Sequence, residues 1–548
     1  MYTDIGKALK LIQQEARILN SPHLYVGVPK FRLLFAPAGG FDFLAAGEAI
    51  DLSFDIQLLL PFDGDTYRDI FFSRFELAPL RDAFDLLIEK SSEIVELDGT
   101  LSDLKTATED VRQALIRQCD VLIVIRDKSD PGLATLAQEA NIRGLPVITI
   151  DPHSEDGIGF YERGLSSSDP RVLKGGLEAA FILKSDVQKL RRYLGSWHFR
   201  RFPLFRYFRD IVAHRWSWRR KRSVPESSGD PWASLPCPNG AIGCKIAGRF
   251  QKHFKRADRL ADGYGDLYRS FFLLTYGFGA LAVLLAFCGI YLKDHDAFWV
   301  ELGLISCVIF IVLIASSNRL HERWSDYRML GEGLRQMKVL APIARVTPTF
   351  ETPAYLEDDP AQTWFNWYFR ALIREAGLTS ARVDKKFLAT YRNVLDSAIS
   401  EQVDYHTGNS AKMELVHKRL RRTVVFFLFP ATLLACIAHL IPESAIAPYV
   451  GARSFKRVDF FLSLFAIVFP AVGAALEGAA HQGDLDRIHR RSGALKSRLQ
   501  ILRDRLRQMK TPMASKELGN LAENFSQIQV LEQADWRAAF VSKPISLT

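Results

Sequence analysis

The stretch SFFLLTYGFGALAVLLAFCGIYL, residues 270–292, carries no charged side chain. A helix of that length, at ~1.5 Å per residue, crosses a ~30 Å hydrocarbon core. Three more stretches read the same way. Residues 299–316 carry only Glu301, close to their start, and residues 423–441 and 460–476 are apolar apart from Glu477 just beyond and His439 near the third segment's end. Pro430 and Pro470 interrupt the last two, and proline is tolerated in membrane helices. The connection 293–297 is too short for anything but a hairpin tip, and 442–458 forms a second tip. The expectation is four transmembrane helices in two hairpins.

Basic residues decide the orientation. Lys252, Lys255, Arg256 and Arg259 precede the first segment, and Arg319, Arg323, Arg328 and Arg335 follow the second. Lys418, Arg419, Arg421 and Arg422 precede the third, and Arg487, Arg490, Arg491 and Lys496 follow the fourth. Positive flanks stay in the cytoplasm. A multi-pass protein of the inner (cell) membrane is expected, with both termini cytoplasmic. Residues 250–268, 319–340, 385–422 and 484–510 read as long cytoplasmic helical extensions, and the two hairpins with their trailing helices resemble a loose internal duplication.

Ahead of the apolar segments, residues 31–151 alternate short β-rich runs with helical ones. Strands are expected at 31–35, 55–60, 94–97, 120–125 and 146–150, with helices at 80–90, 104–118 and 133–142. This alternation predicts a Rossmann-like α/β domain: a parallel sheet covered on both faces. The run VLIVI at 121–125 is continuously apolar, as a strand buried on both faces is. Residues 1–19 read as a helix on that sheet. Residues 1–20 contain acids and lack a basic run followed by an apolar core, so no signal peptide is expected. Residues 152–190 read as a loop followed by a helix.

The resulting organisation is an α/β domain at 1–151, a connector at 152–248, a first hairpin with flanking helices at 249–345, a cytoplasmic helical segment at 346–410 and a second hairpin at 411–548. The connector contains a basic, aromatic stretch at 191–222, with eleven Lys/Arg against the single acid Asp210. Such a stretch suits an anionic lipid surface better than nucleic acid, and nucleic acid is not an expected partner. The six cysteines form no CxxC pair, and Cys237 and Cys244 lack further ligands nearby. No metal site is expected, and the usage suits a reducing compartment.

A doubly wound sheet binds ligands beyond the carboxyl ends of its strands. Four loops lie there: 36–40 (Ala-Pro-Ala-Gly-Gly), 60–63 (Leu-Pro-Phe-Asp) with Tyr67, 98–99 (Asp-Gly), and 126–135. The candidate ligand-binding residues are Ala38, Gly39, Gly40, Pro61, Phe62, Tyr67, Asp127, Gly132, Thr135 and Glu139. Glycine lets backbone approach a ligand closely. Each loop alone is better explained as a tight turn at a strand end, and only the four together make the ligand reading an equal one. Glu301 and Glu477 read as groups in headgroup water rather than pore-lining ones.

The runs APAGGFDFLAAGEA (36–49), LLLPFDGDTYRDIF (58–71), CDVLIVIRD (119–127) and GLATLAQEANIRGLPVITID (132–151) resemble the SLOG superfamily of Rossmann-like nucleotide-binding domains. Where that family carries a Gly-Gly-Thr turn, this chain reads Gly132-Leu133-Ala134-Thr135. The runs WFNWYFRALIREAGL (364–378), EQVDYHTGNSAKMELVHKRLRR (401–422) and LEQADW (531–536) resemble SLATT-type membrane effectors of prokaryotic conflict systems. The resemblance implies a sensor of a nucleotide-derived second messenger controlling a membrane-perforating, homo-oligomeric effector without catalytic residues or a fixed cofactor. Two other functions stay open. One is an N-glycosidic nucleotide hydrolase, for which Glu139 is the nearest acid. The other is a membrane scaffold.

Overall fold

The computed structural model describes residues 2–20, 24, 27–71, 80–125, 131–151, 157–162, 165–184, 186–196, 202–213, 235, 242–293, 295–346, 363–378, 380–442, 452–510 and 514–541. Helix α1 (Tyr2–Ile18) leads to β1 (Arg32–Phe35), α2 (Gly40–Asp51), β2 (Asp55–Leu60), α3 (Arg81–Lys90) and β3 (Glu93–Glu96). Then come α4 (Leu104–Gln118), β4 (Leu122–Ile125), α5 (Pro131–Ile142) and β5 (Val147–Ile150). The five strands expected from the sequence form, but in two sheets. Strands β1, β2 and β3 are parallel neighbours in one, while β4 and β5 are a parallel pair in the other.

Strand β2 shows why this layer is double-sided. Alternate side chains point to opposite faces. Ile56 and Leu58 pack with Ala8 and Leu9 of α1, Ala46 and Ala49 of α2 and Leu87 of α3. Leu59 turns the other way, onto Val111 and Ala114 of α4. Helices α1 to α3 therefore cover one face. The same core takes in Ile148 and Ile150 of β5, so α1 spans both sheets.

The region expected as loop and helix is different. Residues 158–162 and 165–167 form β6 (Ile158–Glu162) and β7 (Leu165–Ser167), antiparallel additions beyond β5. Helices α6 (Arg171–Phe181) and α7 (Val187–Gly195) follow. The aromatic stretch after them is partly core rather than a lipid-facing surface: Tyr193 and Phe205 are buried. Phe205 lies in α8 (Leu204–Ala213). Arg206 of that helix places its Nε 2.6 Å from buried Asp266. Residues 214–222 lie outside the described residues.

The remainder is largely helical: α9 (Ile242–Leu292), α10 (His295–Ser317), α11 (Leu320–Leu340), α12 (Trp364–Ala376), strand β8 (Ala381–Arg382), α13 (Lys385–Arg422), α14 (Phe429–His439), α15 (Ala452–Gln482), α16 (Leu485–Gln508) and α17 (Ser515–Val541). Helices α13 and α14 are joined through a π-helical turn at Thr423–Leu428. That wider turn precedes Pro430, whose ring cannot accept ordinary helical spacing with the carbonyl four residues back.

Four helices are long and apolar enough to cross a membrane: Phe250–Leu292, His295–Ser317, Lys385–His439 and Ser454–Gln508. Only 6–17% of their apolar windows is buried inside the fold. Trp299, Phe310, Leu313, Phe426, Phe427, Phe429 and Leu434 are each more than half exposed. Soluble domains do not leave apolar patches of this extent open to water, so the chain reads as a multi-pass membrane protein.

These helices touch in single file. Helix α9 packs on α10 and α15, and α15 packs on α14. The α9–α15 seam is close: a Cβ at Gly478 would stand 2.5 Å from the Tyr276 ring. Two long helix pairs repeat one plan. Arg319 (φ 47°), between α10 and α11, and Asp484 (φ 48°), between α15 and α16, are both left-handed. A residue in this region stops a helix. The chain then turns into α11, which packs back along α9, and into α16, which packs back along α13. Each pair is thus a long helix, a left-handed break and a returning helix.

Candidate functional site

The sheet and the helices are joined by main chain as well as side chains. Residues 381–382 add β8 to the edge of β3 as a fourth parallel strand. The Val383 N–H donates to the Glu96 carbonyl at 2.8 Å. Asp384 then caps α13 by accepting from the Phe387 N–H at 2.7 Å. Two residues thus separate a sheet strand from a helix that continues to His439. Arg382 sits beside two carboxylates at the carboxyl ends of β2 and β3, 3.3 Å from Glu96 and 3.9 Å from Asp63. Burial pushes the Glu96 carboxyl up, and Arg382 offsets part of that. Burial also acts to raise Asp63, but the Thr66 donors and Arg382 outweigh it and leave that carboxyl below its usual range. Just beyond β3, Asp98 accepts from the Ser515 N–H at 2.7 Å and from its hydroxyl. Ser515 opens α17, which also meets α4: Glu523 lies 3.3 Å from Arg117 and 3.4 Å from Arg345.

Deeper in the helices, Asp326 is buried between Trp364 Nε1, which donates at 2.8 Å, and Arg537 Nε, at 3.1 Å. Burial pushes this carboxyl up. The two Trp-containing runs at 364–378 and 531–536 converge here: Trp364 stacks near Tyr193 (4.9 Å between ring centres), and Trp536 meets Trp324 edge-on at 5.2 Å. A cavity of about 180 Å³ nearby is lined by Glu332, His406, Gln529 and Glu532, among others. Burial pushes Glu532 up to about 7 and His406 down to about 4.

A much larger cavity, about 1990 Å³, lies between the two sheets. Ala38 and Gly39 stand at its carboxyl-end mouth with Asp42, and Leu133 joins them from α5. The Ala38 and Gly39 amides are already occupied, donating to Asp42 Oδ2 at 2.8 and 2.9 Å. Burial pushes the Asp42 carboxyl up, and these two donors hold it back. The mouth is therefore a pair of loop amides at a helix N-terminus, satisfied by an internal carboxylate. Such amides bind phosphate when the carboxylate yields.

The other expected site residues fall elsewhere. Phe62 and Tyr67 are about 1% exposed and pack on each other and on Phe84, with ring centres 5.2 and 5.4 Å apart. The Tyr67 hydroxyl donates to the Pro37 carbonyl, so this ring braces the 36–40 loop from behind. Gly40 opens α2. Pro61, Gly132, Thr135 and Glu139 do not line the cavity. Glu139 accepts from Gln113 of α4 at 2.7 Å. Asp127 lies outside the described residues. No group of three or more His, Cys, Asp or Glu among the described residues could hold a metal ion. Sequence reasoning missed Asp42, Arg374, Arg382 and Ser515. Only Asp42 carried a local signal, as an acid in the first turn of a helix after Gly39-Gly40.

No protein family, curated protein or solved structure matches the chain.

Proposed function

We propose that the chain is a membrane effector in which the α/β region senses a nucleotide-derived ligand and controls the apolar helices. The observation that carries this reading is β8. A strand of the sensing sheet runs, after two residues, into one continuous helix that reaches a membrane-spanning segment. A ligand that pulls the loops at the carboxyl ends of β1 to β3 shifts β8, Arg382 and Ser515 with them. It does so only through different affinities for two arrangements.

The basic flanks favour a cytoplasmic side for both termini and for the helices α11, α13, α16 and α17, with the apolar helices as two hairpins. Among the described residues the four apolar helices pack in the row α10–α9–α15–α14. A leak pathway then requires several copies, with α10 and α14 at the outer ends of each row as the contact surfaces. Glu139, tied to Gln113, lends no support to nucleotide hydrolysis. The SLOG and SLATT resemblances favour a role in prokaryotic defence.

Dye release from liposomes holding the purified chain tests this reading. Release that rises on adding a nucleotide-derived messenger, with the nucleotide recovered intact, is the expected result. No release with any nucleotide, or a cleaved nucleotide, refutes it.

A further inference from the structure

The cavity between the sheets has the shape of a strand. Every residue of 31–36 lines it, and so does every residue of 118–125. Successive side chains of a strand point to opposite faces, so a cavity on one face meets only alternate residues. Consecutive lining means that the space lies in the plane of the sheet, along the edges of β1 and β4. Among the described residues, neither edge has a strand partner on that side. Buried main-chain N–H and C=O groups are nearly always paired.

The two edges run in the same direction. At the amino end of β1, Arg32 donates to the Arg374 carbonyl and, at 3.1 Å, to the Glu375 carbonyl. At the amino end of β4, Asp120 accepts from Arg374 Nε at 2.6 Å. One residue of α12 therefore closes the amino end of the slot for both strands. Above the slot lie Ile5, Leu9, Ile12, Ala16 and Leu19, the inner stripe of α1, and below it Val111, Leu115 and Leu136. The slot has apolar walls on both faces and open hydrogen-bonding edges on both sides.

Helix α1 shows which segment belongs there. Asp4, in its first turn, lies against Gly157, just beyond the carboxyl end of β5. At its other half, Gln13 donates to the carbonyl of Leu52, ahead of β2, at 2.9 Å. Helix α1 thus runs antiparallel to the strands and feeds β1, as a crossover helix does after a parallel strand. It shares the face of α2 and α3. Right-handed crossovers that keep their helices on one face step across a sheet in one direction. The step from β1 through α2 to β2 leads away from the slot. The step through α1 to β1 must then begin in the slot.

We infer that the slot is filled by a parallel strand that leads directly into α1 from residues ahead of Tyr2. A strand matching the four residues of β1 and β4, with a loop of about 2–6 residues, requires about 6–10 residues. The strand unites the two halves into one sheet of order β3-β2-β1-slot-β4-β5, and its loop into α1 joins Ala38 and Gly39 at the mouth.

The test uses protein purified from the cells that make it, with its N-terminal peptide mapped by mass spectrometry. Hydrogen exchange is compared at residues 33–35 and 123–125 with that of the chain begun at Met1. The inference predicts residues ahead of Met1 in the native chain, and edge amides exchanging on the order of 100-fold more slowly than in the chain begun at Met1. A native chain that begins at Met1 or Tyr2 overturns it. So do extra residues without that protection. Equal protection in the chain begun at Met1 also overturns it, and assigns the slot to a second copy if it depends on concentration or to another stretch of this chain if it does not.

Discussion

Arg374 places its Nε 2.6 Å from the Asp120 carboxylate, 254 positions away in sequence. It also donates to the Ala180 carbonyl at 3.1 Å and lies over the Phe181 ring at 4.2 Å. One residue of α12 thereby holds α6 and the start of β4 through its side chain and β1 through its main-chain carbonyl. Arg374→Ala leaves Asp120 and a buried carbonyl without their donor, at a cost of about 1–3 kcal/mol. The expected outcome is faster hydrogen exchange in β4 and α6 with the apolar helices unaffected. Uniform loss across the chain would show that the contact holds the whole fold rather than this junction.

On the proposed function, the β8 junction couples ligand sensing to the membrane response. Val383→Pro removes the donor to the Glu96 carbonyl and loosens the strand that connects the sheet with α13. Dye release from liposomes should then lose its response to nucleotide, while reconstitution into the bilayer is unchanged. A variant that still responds fully shows that the signal travels through α17 and Ser515 instead.

Asp42 sets how the mouth treats an anion. Its carboxylate occupies the Ala38 and Gly39 amides, and burial raises its pKa. A raised carboxyl takes up its proton earlier as the pH falls, so charge is lost from the mouth on acidification. Nucleoside diphosphate binding should therefore tighten as the pH falls. Asp42→Asn should tighten it at pH 7.5 by about 10-fold or more, because a like charge near 4 Å costs several kcal/mol even when partly screened. Titration calorimetry on the full chain reads both. Unchanged affinity places the anion site elsewhere.

Much of this architecture was legible in the sequence, for physical reasons. A membrane segment is a property of composition, and residues 270–292 show it without any knowledge of their neighbours. Strand β2 declares its double-sided burial in the same local way, whereas in the VLIVI run only Leu122 and Val124 are fully buried. Strand β8 does not: two residues carry no periodicity, and its partner β3 lies far away in sequence. Strand β7, with three residues, is nearly as short. Phe62 and Tyr67 follow a strand end, where ligand loops occur, and only the packing on Phe84 shows them to be core. The Arg374–Asp120 pair left no trace, because a long-range ion pair imposes no spacing on either segment.

Glu532 gives the helical region a dependence on pH. Burial raises its carboxyl from 4.5 to about 7, so the folded state holds a proton that the unfolded chain releases. Stability from this group is full below pH 4.5 and is lost as the pH rises through about 7, by on the order of 3 kcal/mol. Glu532→Gln should flatten that part of the profile in thermal unfolding between pH 5 and 8. A variant whose profile matches the parent assigns the dependence to another group.

The account stands on lipid surrounding the apolar helices. Cys307 and Cys436 are exposed on the surface of the fold, in α10 and α14. Treating intact membranes with a hydrophilic maleimide and weighing the peptides reads their surroundings directly. Both thiols should remain unmodified until detergent and denaturant are added. Rapid modification of both in the absence of detergent would place these helices in water and contradict the membrane reading.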